Sequence, residues 1–522
     1  MTMESGVSAK QAVKDIPFAG TGAETSSAGE VVASIDIGTT AIKGVLVGRD
    51  GVLRHERTIP LTTMHQGGYM EQDPESWWTA FVQMCRDWDA IGVGGKQIRC
   101  VAFSGQMQDL IAVDSDGAPL RPAILYSDSR AGVQAESLLA QITEREMKRR
   151  TGNHFDGTFP LAKMAWMREH EPDKYDQSRY FLFGSKDYVI LKLTGKAVTD
   201  PTTASTVGLM DAASRQWVTE WTEALQMDAG KLPAIIPSVG LVGTVTPEAS
   251  RLTGLSTDTR VLAGAGDAGS STLGAGVMAE GDMYVYLGTT GWVAAAVEQP
   301  IESAGGIFHL AHPAGSHLIA IAPLLNAGSV HQWAVGNFAE GPEDYRGFEQ
   351  LVASSRRERN RVLFLPYLAG ERCPVQDPDA TGCYVGLTGE TTRADLGAAA
   401  LEGVSFAIRQ VRDLLLSGQK PDAMNVIGGG GKSEAWMQIL ADICSSQVLV
   451  PADAQFLPAL GVASLGFVHL GWSANFAEFK AAYLQKGEHA GYAANRELDD
   501  HYEAKFSKYK QLYAALQPVM VP

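Results

Sequence analysis

Residues 31–47 read Val31-Val32-Ala33-Ser34-Ile35-Asp36-Ile37-Gly38-Thr39-Thr40-Ala41-Ile42-Lys43-Gly44-Val45-Leu46-Val47. The pattern predicts an apolar strand, a tight Gly-Thr-Thr turn and a second apolar strand. Such a turn leaves backbone N–H groups and threonine hydroxyls without a strand partner, and its glycine lets another group approach them. Together these groups form a nest that suits anionic oxygens.

The same tripeptide occurs again within Met283-Tyr284-Val285-Tyr286-Leu287-Gly288-Thr289-Thr290-Gly291-Trp292-Val293-Ala294-Ala295-Ala296-Val297. Two nests that face each other would hold a polyphosphate. Taken singly, each copy also fits an ordinary hairpin that uses small polar residues in its turn. The repetition, with Asp36 added in the first copy only, favours a functional interpretation.

The composition is that of an ordinary globular protein: 522 residues, 45% of them apolar and 20% charged. A chain of this length is too long for one core, so two large domains are expected. The formal net charge of −16 argues against a surface that binds nucleic acid or an anionic membrane. We attribute this acidity to solubility.

The five cysteines, at positions 85, 100, 373, 383 and 444, include no C-x-x-C pair. This usage predicts free thiols and a cytoplasmic protein rather than a disulfide framework. The sequence has no run of roughly 18 apolar residues that would span a membrane. Residues 1–30 lack the apolar core of a signal peptide and are interpreted as a flexible tail.

Hydrophobic periodicity places the first elements. Alternation over residues 31–57, broken at Asp50-Gly51, predicts a three-stranded antiparallel meander. Asp73 is a suitable N-cap for a helix with Pro74 in its first position. A strand at residues 100–103 then ends in Ser104-Gly105-Gln106-Met107-Gln108-Asp109, and a second strand follows at residues 110–113. Polar residues at strand ends are typical of a binding pocket.

Later segments repeat the alternation of strand and helix. A strand at residues 260–263 leads into the small-residue segment 264–276, which contains Asp267. A helix is predicted over residues 393–416, with Gly418 at its C′ position. A strand at residues 424–427 runs into Gly428-Gly429-Gly430-Gly431-Lys432-Ser433 and a further helix. This order is expected when helices cover both faces of a sheet.

In their order along the chain, these motifs resemble the FGGY family of carbohydrate kinases from Val31 onward. The segments that carry the resemblance are Ile35-Asp36-Ile37-Gly38-Thr39-Thr40 with Lys43, Glu71-Gln72-Asp73-Pro74-Glu75-Ser76-Trp77-Trp78, Gly105-Gln106-Met107, Leu120-Arg121-Pro122-Ala123-Ile124-Leu125, Gly266-Asp267, Leu287-Gly288-Thr289-Thr290-Gly291, Phe364-Leu365-Pro366-Tyr367-Leu368-Ala369-Gly370-Glu371-Arg372, and Gly428-Gly429-Gly430 with Ser433 and Trp436.

The resemblance implies an α/β protein with the actin-like ATPase fold, in which two ribonuclease-H-like domains flank a cleft. The domains would span residues 31–276, with the sugar site and catalytic aspartate, and residues 277–522, with the nucleoside site. The implied reaction is ATP-dependent phosphorylation of a sugar hydroxyl with Mg²⁺, preferably on a ketopentose such as xylulose. Ribulose, erythritol and gluconate remain alternatives, and a homodimer is common in the family.

The resemblance also assigns roles to single residues. Asp267 would be the general base, and Asp36 with Asp267 would place Mg²⁺. The sugar would meet Gln106, Met107, Gln108 and Asp267, near Asp128, Arg130 and residues 153–163. ATP would be bound by Gly38, Thr39, Thr40, Lys43, Gly288, Thr289, Thr290, Gly429, Gly430 and Ser433.

Each assignment has a structural alternative. Asp267 would otherwise cap the helix that follows it, and Asp36 would be a buried strand carboxylate paired with Lys43. The glycine run would otherwise be a crowded turn, and Trp436 fits the core as well as an adenine neighbour.

Three positions depart from the pattern of family members that act on xylulose. Those proteins usually carry His at the position of Gln108, Gly at that of Asp109 and Asn at that of Ala268. A carboxylate at Asp109, if it faces the pocket, would disfavour sugar acids; Asp109 pointing into solvent is the alternative. A neutral polyol is therefore preferred over gluconate.

Two other functions are compatible with these motifs. An actin-fold ATPase that serves as a chaperone or filament subunit would share the nucleotide apparatus, and a catalytically idle relative would bind sugar only to sense it. The residues His309, His312 and His317 are interpreted as structural rather than as metal ligands. The arginines at positions 356, 357, 359 and 361 are interpreted as a solvated face.

Overall fold

A computed structural model describes residues 29–301, 306–452, 456–485 and 489–520. The predicted tail over residues 1–30 therefore lies outside the described residues, except for Gly29 and Glu30. In these ranges no helix combines the length and the apolar character needed to cross a membrane.

The N-terminal half builds its lobe from thirteen strands and ten helices within the described residues. The strands are β1 Val31–Ile37, β2 Ala41–Gly48, β3 Leu53–Pro60, β4 Met64–Gln66, β5 Tyr69–Gln72, β6 Ile98–Gly105, β7 Met107–Val113, β8 Ala123–Ile124, β9 Tyr180–Gly184, β10 Val198–Thr199, β11 Ala234–Ile235, β12 Leu241–Thr244 and β13 Arg260–Leu262. The helices are α1 Pro74–Ala90, α2 Gly132–Gln141, α3 Glu144–Thr151, α4 Pro160–His170, α5 Pro172–Gln177, α6 Ser185–Thr194, α7 Pro201–Ala204, α8 Thr219–Ala224, α9 Pro247–Thr253 and α10 Asp267–Gly274.

The C-terminal half follows with its own strands and helices. The strands are β14 Met283–Leu287, β15 Gly291–Val297, β16 Phe308–Ala311, β17 Leu318–Leu324, β18 Leu363–Leu365, β19 Cys383–Val385, β20 Ala423–Ile427, β21 Gln447–Pro451 and β22 His489–Tyr492. The helices are α11 Gly328–Phe338, α12 Tyr345–Ser354, α13 Arg393–Leu415, α14 Glu434–Cys444, α15 Leu457–Leu470, α16 Phe476–Phe479 and α17 Asp499–Leu516.

The two lobes contain sheets with matching topology. The first has the order β12-β13-β6-β1-β2-β3, in which β1, β2 and β3 are antiparallel while β6 and β13 run parallel to β1. The second has the order β16-β17-β15-β14-β20-β21-β22, in which β14, β15 and β17 are antiparallel while β20 and β21 run parallel to β14. Each Gly-Thr-Thr turn joins the first two strands of its sheet, so the repeat in sequence is a repeat in structure.

Helices α10 and α15 pack against each other between the sheets, and α15 also packs on β1 and β6. A Cβ on Gly461 of α15 would collide with the Ser270 carbonyl of α10, so a side chain at this crossing would push the helices apart. Apolar residues of both lobes, among them Val32, Tyr284 and Leu460, share one core cluster here. The lobes are therefore joined by a packed interface.

A second sheet in the N-terminal lobe supplies one wall of the space beside α10. Its order is β4-β5-β8-β7-β9, and all of its pairs are antiparallel. The chain leaves the central sheet at the end of β6 and enters this sheet at Met107, the first residue of β7. Gln106 to Asp109 thus lie where two sheets meet.

Most element predictions are confirmed, including the meander, the start of α1 at Pro74 capped by Asp73, and α13. One is wrong: helix α13 has its C-cap at Leu416, so the C′ residue is Ser417 with φ 51°, and Gly418 follows with φ 80°. The left-handed stretch begins one residue earlier than the glycine suggested. All five cysteines are free.

Candidate active site

Asp267 is the first residue of α10, and Gly266 rather than Asp267 occupies the N-cap position. Its Oδ1 accepts a hydrogen bond of 2.7 Å from the Ala268 amide, and the side chain is otherwise exposed. A Cβ on Gly266 would collide with the Met107 thioether, so the missing side chain lets α10 begin directly against β7. This contact places Asp267 beside the junction of the two N-terminal sheets.

The side chain of Asp267 is exposed to solvent at its tip, yet protein atoms surround the carboxyl closely. This desolvation, reinforced by the charge of Asp36, raises the pKa of Asp267 to about 7. Burial and the Asp267 charge also raise the pKa of Tyr284 on β14. Asp267 is therefore within electrostatic reach of β1 and β14, the two strands that lead into the Gly-Thr-Thr turns.

Asp36 sits near the end of β1, and its Oδ1 is buried without a hydrogen-bond partner among the described residues. Burial raises the pKa of this carboxyl, while the Ser104 hydroxyl and the charge of Lys43 act in the opposite direction. Lys43 pairs with Asp36 across the strands but is itself exposed. A buried carboxylate oxygen with no protein donor suits a cation or a water bound to one.

Two glutamines hold the first turn. Thr39 Oγ1 donates to Gln106 Oε1 at 3.1 Å, and Gln72 Nε2 donates to the Thr39 carbonyl at 2.5 Å. Gln106 Nε2 also donates to Gln72 Oε1 at 2.9 Å, so both the oxygen and the nitrogen of the Gln106 amide bond to protein groups. The side chain of Gln106 is buried, and in this structure it positions the turn. Thr40 is exposed at the tip.

The second turn rests on the start of α11. The amides of Gly328 and Ser329 donate to the carbonyls of Gly288 and Thr289, both at 2.9 Å. A Cβ on Gly328 would collide with the Gly288 carbonyl, so this close approach requires glycine. Thr289 and Thr290 remain exposed.

A cavity of about 720 Å³ joins this turn to the glycine-rich loop that follows β20. Its lining includes Gly288, Thr289, Gly328, His331, Gly429, Gly430 and Ser433. Burial lowers the pKa of His331 to about 4, so its ring is neutral. The glycines leave backbone surface exposed to the cavity, which suits a flat ligand lying against it.

Ser433 and Trp436 both serve helix α14 in this structure. Ser433 Oγ accepts from the Trp436 amide at 3.3 Å and donates to Glu349, which also accepts from the Ala435 amide. Trp436 is fully buried, and its indole N–H donates to Ser405 Oγ at 3.2 Å. Of the two alternatives for Trp436, the core is therefore the one observed.

The residues expected near the sugar divide into exposed and buried groups. Gln108 has a left-handed backbone with φ 66° and is partly exposed, with its Nε2 donating to Thr158 Oγ1 at 2.7 Å. The alternative that Asp109 points into solvent is wrong, because its side chain is fully buried and Oδ1 accepts from the Tyr126 amide at 3.0 Å. Burial raises the pKa of Asp109 well above its usual range. Asp128 is paired with Arg130.

The interpretation of His309 and His312 as structural is confirmed. His309 Nδ1 lies 2.8 Å from the Gly152 carbonyl, and its Nε2 accepts from the Ile301 amide. His312 likewise contacts the Val277 carbonyl and the Ala314 amide. Within the described ranges no group of three or more His, Cys, Asp or Glu side chains could hold a metal ion.

Sequence reasoning missed several residues that shape the site, namely Gly328, His331 and Glu349. Gly328 carried a usable signal, since a small-residue pair between a strand and a helix often marks a close backbone approach. His331 and Glu349 carried none, because each reaches the cavity from a helix whose neighbours are distant in sequence.

Comparisons with known proteins give concordant results. The profile described as FGGY family of carbohydrate kinases, N-terminal domain, matches residues 31–274, and the corresponding C-terminal profile matches residues 283–470. The chain is 32% identical to a xylulose kinase of Staphylococcus epidermidis, covering 93% of this chain and 96% of that protein. The solved structure of a xylulose kinase from Rhodospirillum rubrum superimposes with a TM-score of 0.84 at 26% identity, covering 94% of this chain and all of that one. The solved structure of a gluconate kinase from Lactobacillus acidophilus superimposes with a TM-score of 0.81 at 26% identity, covering 93% of this chain and 98% of that one.

Proposed function

The chain belongs to the FGGY family of carbohydrate kinases, and on that premise we propose that it phosphorylates a neutral ketopentose, with xylulose as the preferred substrate. The family resemblance and the actin-like α/β fold predicted from sequence are confirmed. The domain limits at residues 30 and 276 remain predictions, as do the roles of single residues.

The observation that carries the proposal is the position of Asp267. It begins α10 beside Met107, within electrostatic reach of Asp36 on β1 and Tyr284 on β14. Phosphoryl transfer from ATP needs an acceptor for the hydroxyl proton and donors for the phosphate oxygens. A carboxylate between two sets of exposed amides and threonine hydroxyls meets both needs.

The proposed mechanism follows from these positions. Asp267 accepts the proton of the sugar hydroxyl as that oxygen attacks the γ-phosphorus of ATP, and ADP leaves on the opposite side. Gly38, Thr39, Thr40, Lys43, Gly288, Thr289 and Thr290 line the phosphates, and Gly429, Gly430 and the Ser433 region lie against the nucleoside. Gln106 and Gln72 keep the first turn in place, while Met107 and Gln108 face the sugar.

Asp36 and Asp267 would hold Mg²⁺ together with the nucleotide phosphates and water. The unpartnered Oδ1 of Asp36 fits this group, since Mg²⁺ is commonly bound through one or two carboxylates while it keeps several waters. When bound, the ion would neutralise charge on the phosphates.

The choice of xylulose rests on the named relatives. The test is sugar-dependent ADP release with ketopentoses, erythritol and gluconate. Xylulose should give the largest kcat/KM. Larger values for gluconate would favour the alternative, and ATP hydrolysis indifferent to every sugar would favour a non-metabolic actin-fold ATPase.

A cytoplasmic location is proposed from the free thiols; the homodimer stays a prediction.

The pH dependence of transfer should report the base. Because surrounding protein raises the pKa of Asp267 to about 7, the carboxyl is protonated, and unable to accept a proton, below that value. We expect kcat/KM for the sugar to fall about tenfold per pH unit below the pKa of Asp267, which is about 7 without metal and lower once Mg²⁺ offsets the Asp36 charge, and to level off above it. Initial rates of ADP release measure this, with binding of an ATP analogue over the same range as control. An acid limb in Asp267→Asn that matches the one in wild type would contradict the assignment.

The Gly328→Val variant should bind ATP poorly. A side chain at this position collides with the Gly288 carbonyl and displaces the second turn from its seat on α11. We expect Kd for an ATP analogue to rise at least about tenfold, or about 1.4 kcal/mol. Gly336→Val is the matched control, because it lies on the same helix and a Cβ there meets nothing within 4 Å. Equal affinities of the two variants for the ATP analogue would show that the second Gly-Thr-Thr turn does not bind the phosphates.

A further inference from the structure

A continuous polar strip runs along the space beside Asp267, and it consists of Gln108, Thr158, Asp156 and His154. Gln108 Nε2 donates to Thr158 Oγ1 at 2.7 Å, and that hydroxyl donates to Asp156 Oδ1 at 2.6 Å. The Thr158 amide donates to the same Oδ1 at 2.8 Å. The Asp156 carboxylate is thereby fixed in one orientation.

The two ends of the strip locate it in the cleft. Gln108 follows Met107, whose thioether contacts Gly266 next to Asp267. At the other end the His154 ring lies 4.9 Å from the ring of Phe308 on β16, which belongs to the C-terminal lobe. The strip therefore reaches from the strand end beside the proposed base to the facing lobe.

Asp156, unlike the buried Asp109, has a carboxylate oxygen that a ligand can reach. Its side chain is 49% exposed, and Oδ2 has only His154 Nε2 nearby, at 3.6 Å, too far for a hydrogen bond. Burial opposes the charge, but His154 and Thr158 outweigh it and lower the pKa of Asp156 to about 2. An ionised carboxylate with a free oxygen accepts hydrogen bonds and donates none.

The lysine and the arginine nearest to the strip are already engaged. Lys163 Nζ donates to the carbonyls of Gln108 and Leu125 at 2.9 and 2.8 Å. Arg130 is bonded to Asp128 and Glu71. A sugar carboxylate placed on the strip would thus face Asp156 without help from Lys163 or Arg130, whereas sugar hydroxyls would find an acceptor.

We propose that Asp156 is a specificity-determining residue that accepts hydrogen bonds from hydroxyls of a neutral acceptor and excludes sugar acids. The inference rests on the proposed function and deepens it, since it names the substrate class as uncharged polyhydroxy compounds. Gln108 and Thr158 act as positioning residues, because they hold the carboxylate rather than supply the charge.

The test compares Asp156→Asn with Asp258→Asn, which changes an exposed aspartate on the loop before β13. For both variants and wild type, kcat/KM is measured with xylulose and with gluconate, alongside KM for ATP and the melting temperature. We expect Asp156→Asn to lose about ten- to hundredfold in kcat/KM for xylulose but not for gluconate. KM for ATP and the melting temperature should not change, and Asp258→Asn should match wild type.

Unchanged kcat/KM values for both sugars in Asp156→Asn would overturn this inference while leaving the kinase proposal intact. A parallel loss with both sugars would also overturn it, since that pattern indicates a general structural effect. A wild-type protein that phosphorylates neither sugar would instead overturn the proposed function, and the inference with it. Asp156→Glu serves as the rescue variant, because it keeps the charge and should retain the preference for xylulose over gluconate.

Discussion

The Asp267→Asn variant should lose sugar-dependent ADP formation by about 10²- to 10⁴-fold while its affinity for ATP without Mg²⁺ stays that of wild type. The amide keeps the oxygen that accepts the Ala268 hydrogen bond, so the start of α10 is preserved. What it removes is the ability to take up the hydroxyl proton. Turnover is measured by coupled ADP release, and binding by titration with a non-hydrolysable ATP analogue.

The matched control is Asp176→Asn, an exposed helical aspartate on α5, which should leave turnover unchanged. Full activity in Asp267→Asn would show that another group accepts the proton. A loss of turnover accompanied by equal loss of nucleotide affinity would point to a role in ATP binding instead.

The second large effect concerns stability. Lys186 on α6 is completely buried and contacts two carboxylates, Asp187 at 2.6 Å and Asp200 at 2.8 Å, which are completely buried as well. Burial opposes the charge of Lys186, but the two carboxylates more than offset it and raise its pKa. Lys186→Met would leave two buried negative charges together. We expect the free energy of unfolding to fall by about 3–5 kcal/mol.

This variant is measured by denaturant unfolding at constant pH, with Lys192→Met as control. Lys192 lies on the same helix, but its partner Glu75 is partly exposed, so the control should lose no more than about 1 kcal/mol. Asp200 also accepts from the Thr202 and Thr203 amides at the start of α7, near Gly266. Equal stability of the two variants would mean that the buried ion pairs of Lys186 with Asp187 and Asp200 do not stabilise this part of the lobe.

Local features of the sequence predicted much of the fold. The alternation of β1 to β3 and the two turns depend on residues that are adjacent in sequence, and the structure has both as predicted. The start of α1 was readable because Asp73 and Pro74 act within one turn of helix. The C′ position of α13 was predicted one residue too late, at Gly418. Ser417 already adopts a left-handed conformation, which is uncommon for serine and so was not predictable from its residue type.

The arrangement of the site could not be predicted in the same way. The contact of Gly266 with Met107, the unpartnered Oδ1 of Asp36 and the link of Glu349 to Ser433 all join residues distant in sequence. Composition and periodicity carry no information about such pairs. Gln106 shows that a motif can be located without its contacts being known. It was predicted to contact the sugar, but in this structure its amide bonds to Thr39 and Gln72.

The most direct test of the account is a crystal structure with Mg²⁺, a non-hydrolysable ATP analogue and xylulose. The account predicts a carboxylate oxygen of Asp267 about 3 Å from one sugar hydroxyl, with that hydroxyl facing the terminal phosphorus between the turns at residues 38–40 and 288–290. A terminal phosphate bound by only one turn, or a sugar whose hydroxyls all lie beyond hydrogen-bond reach of Asp267, would contradict it.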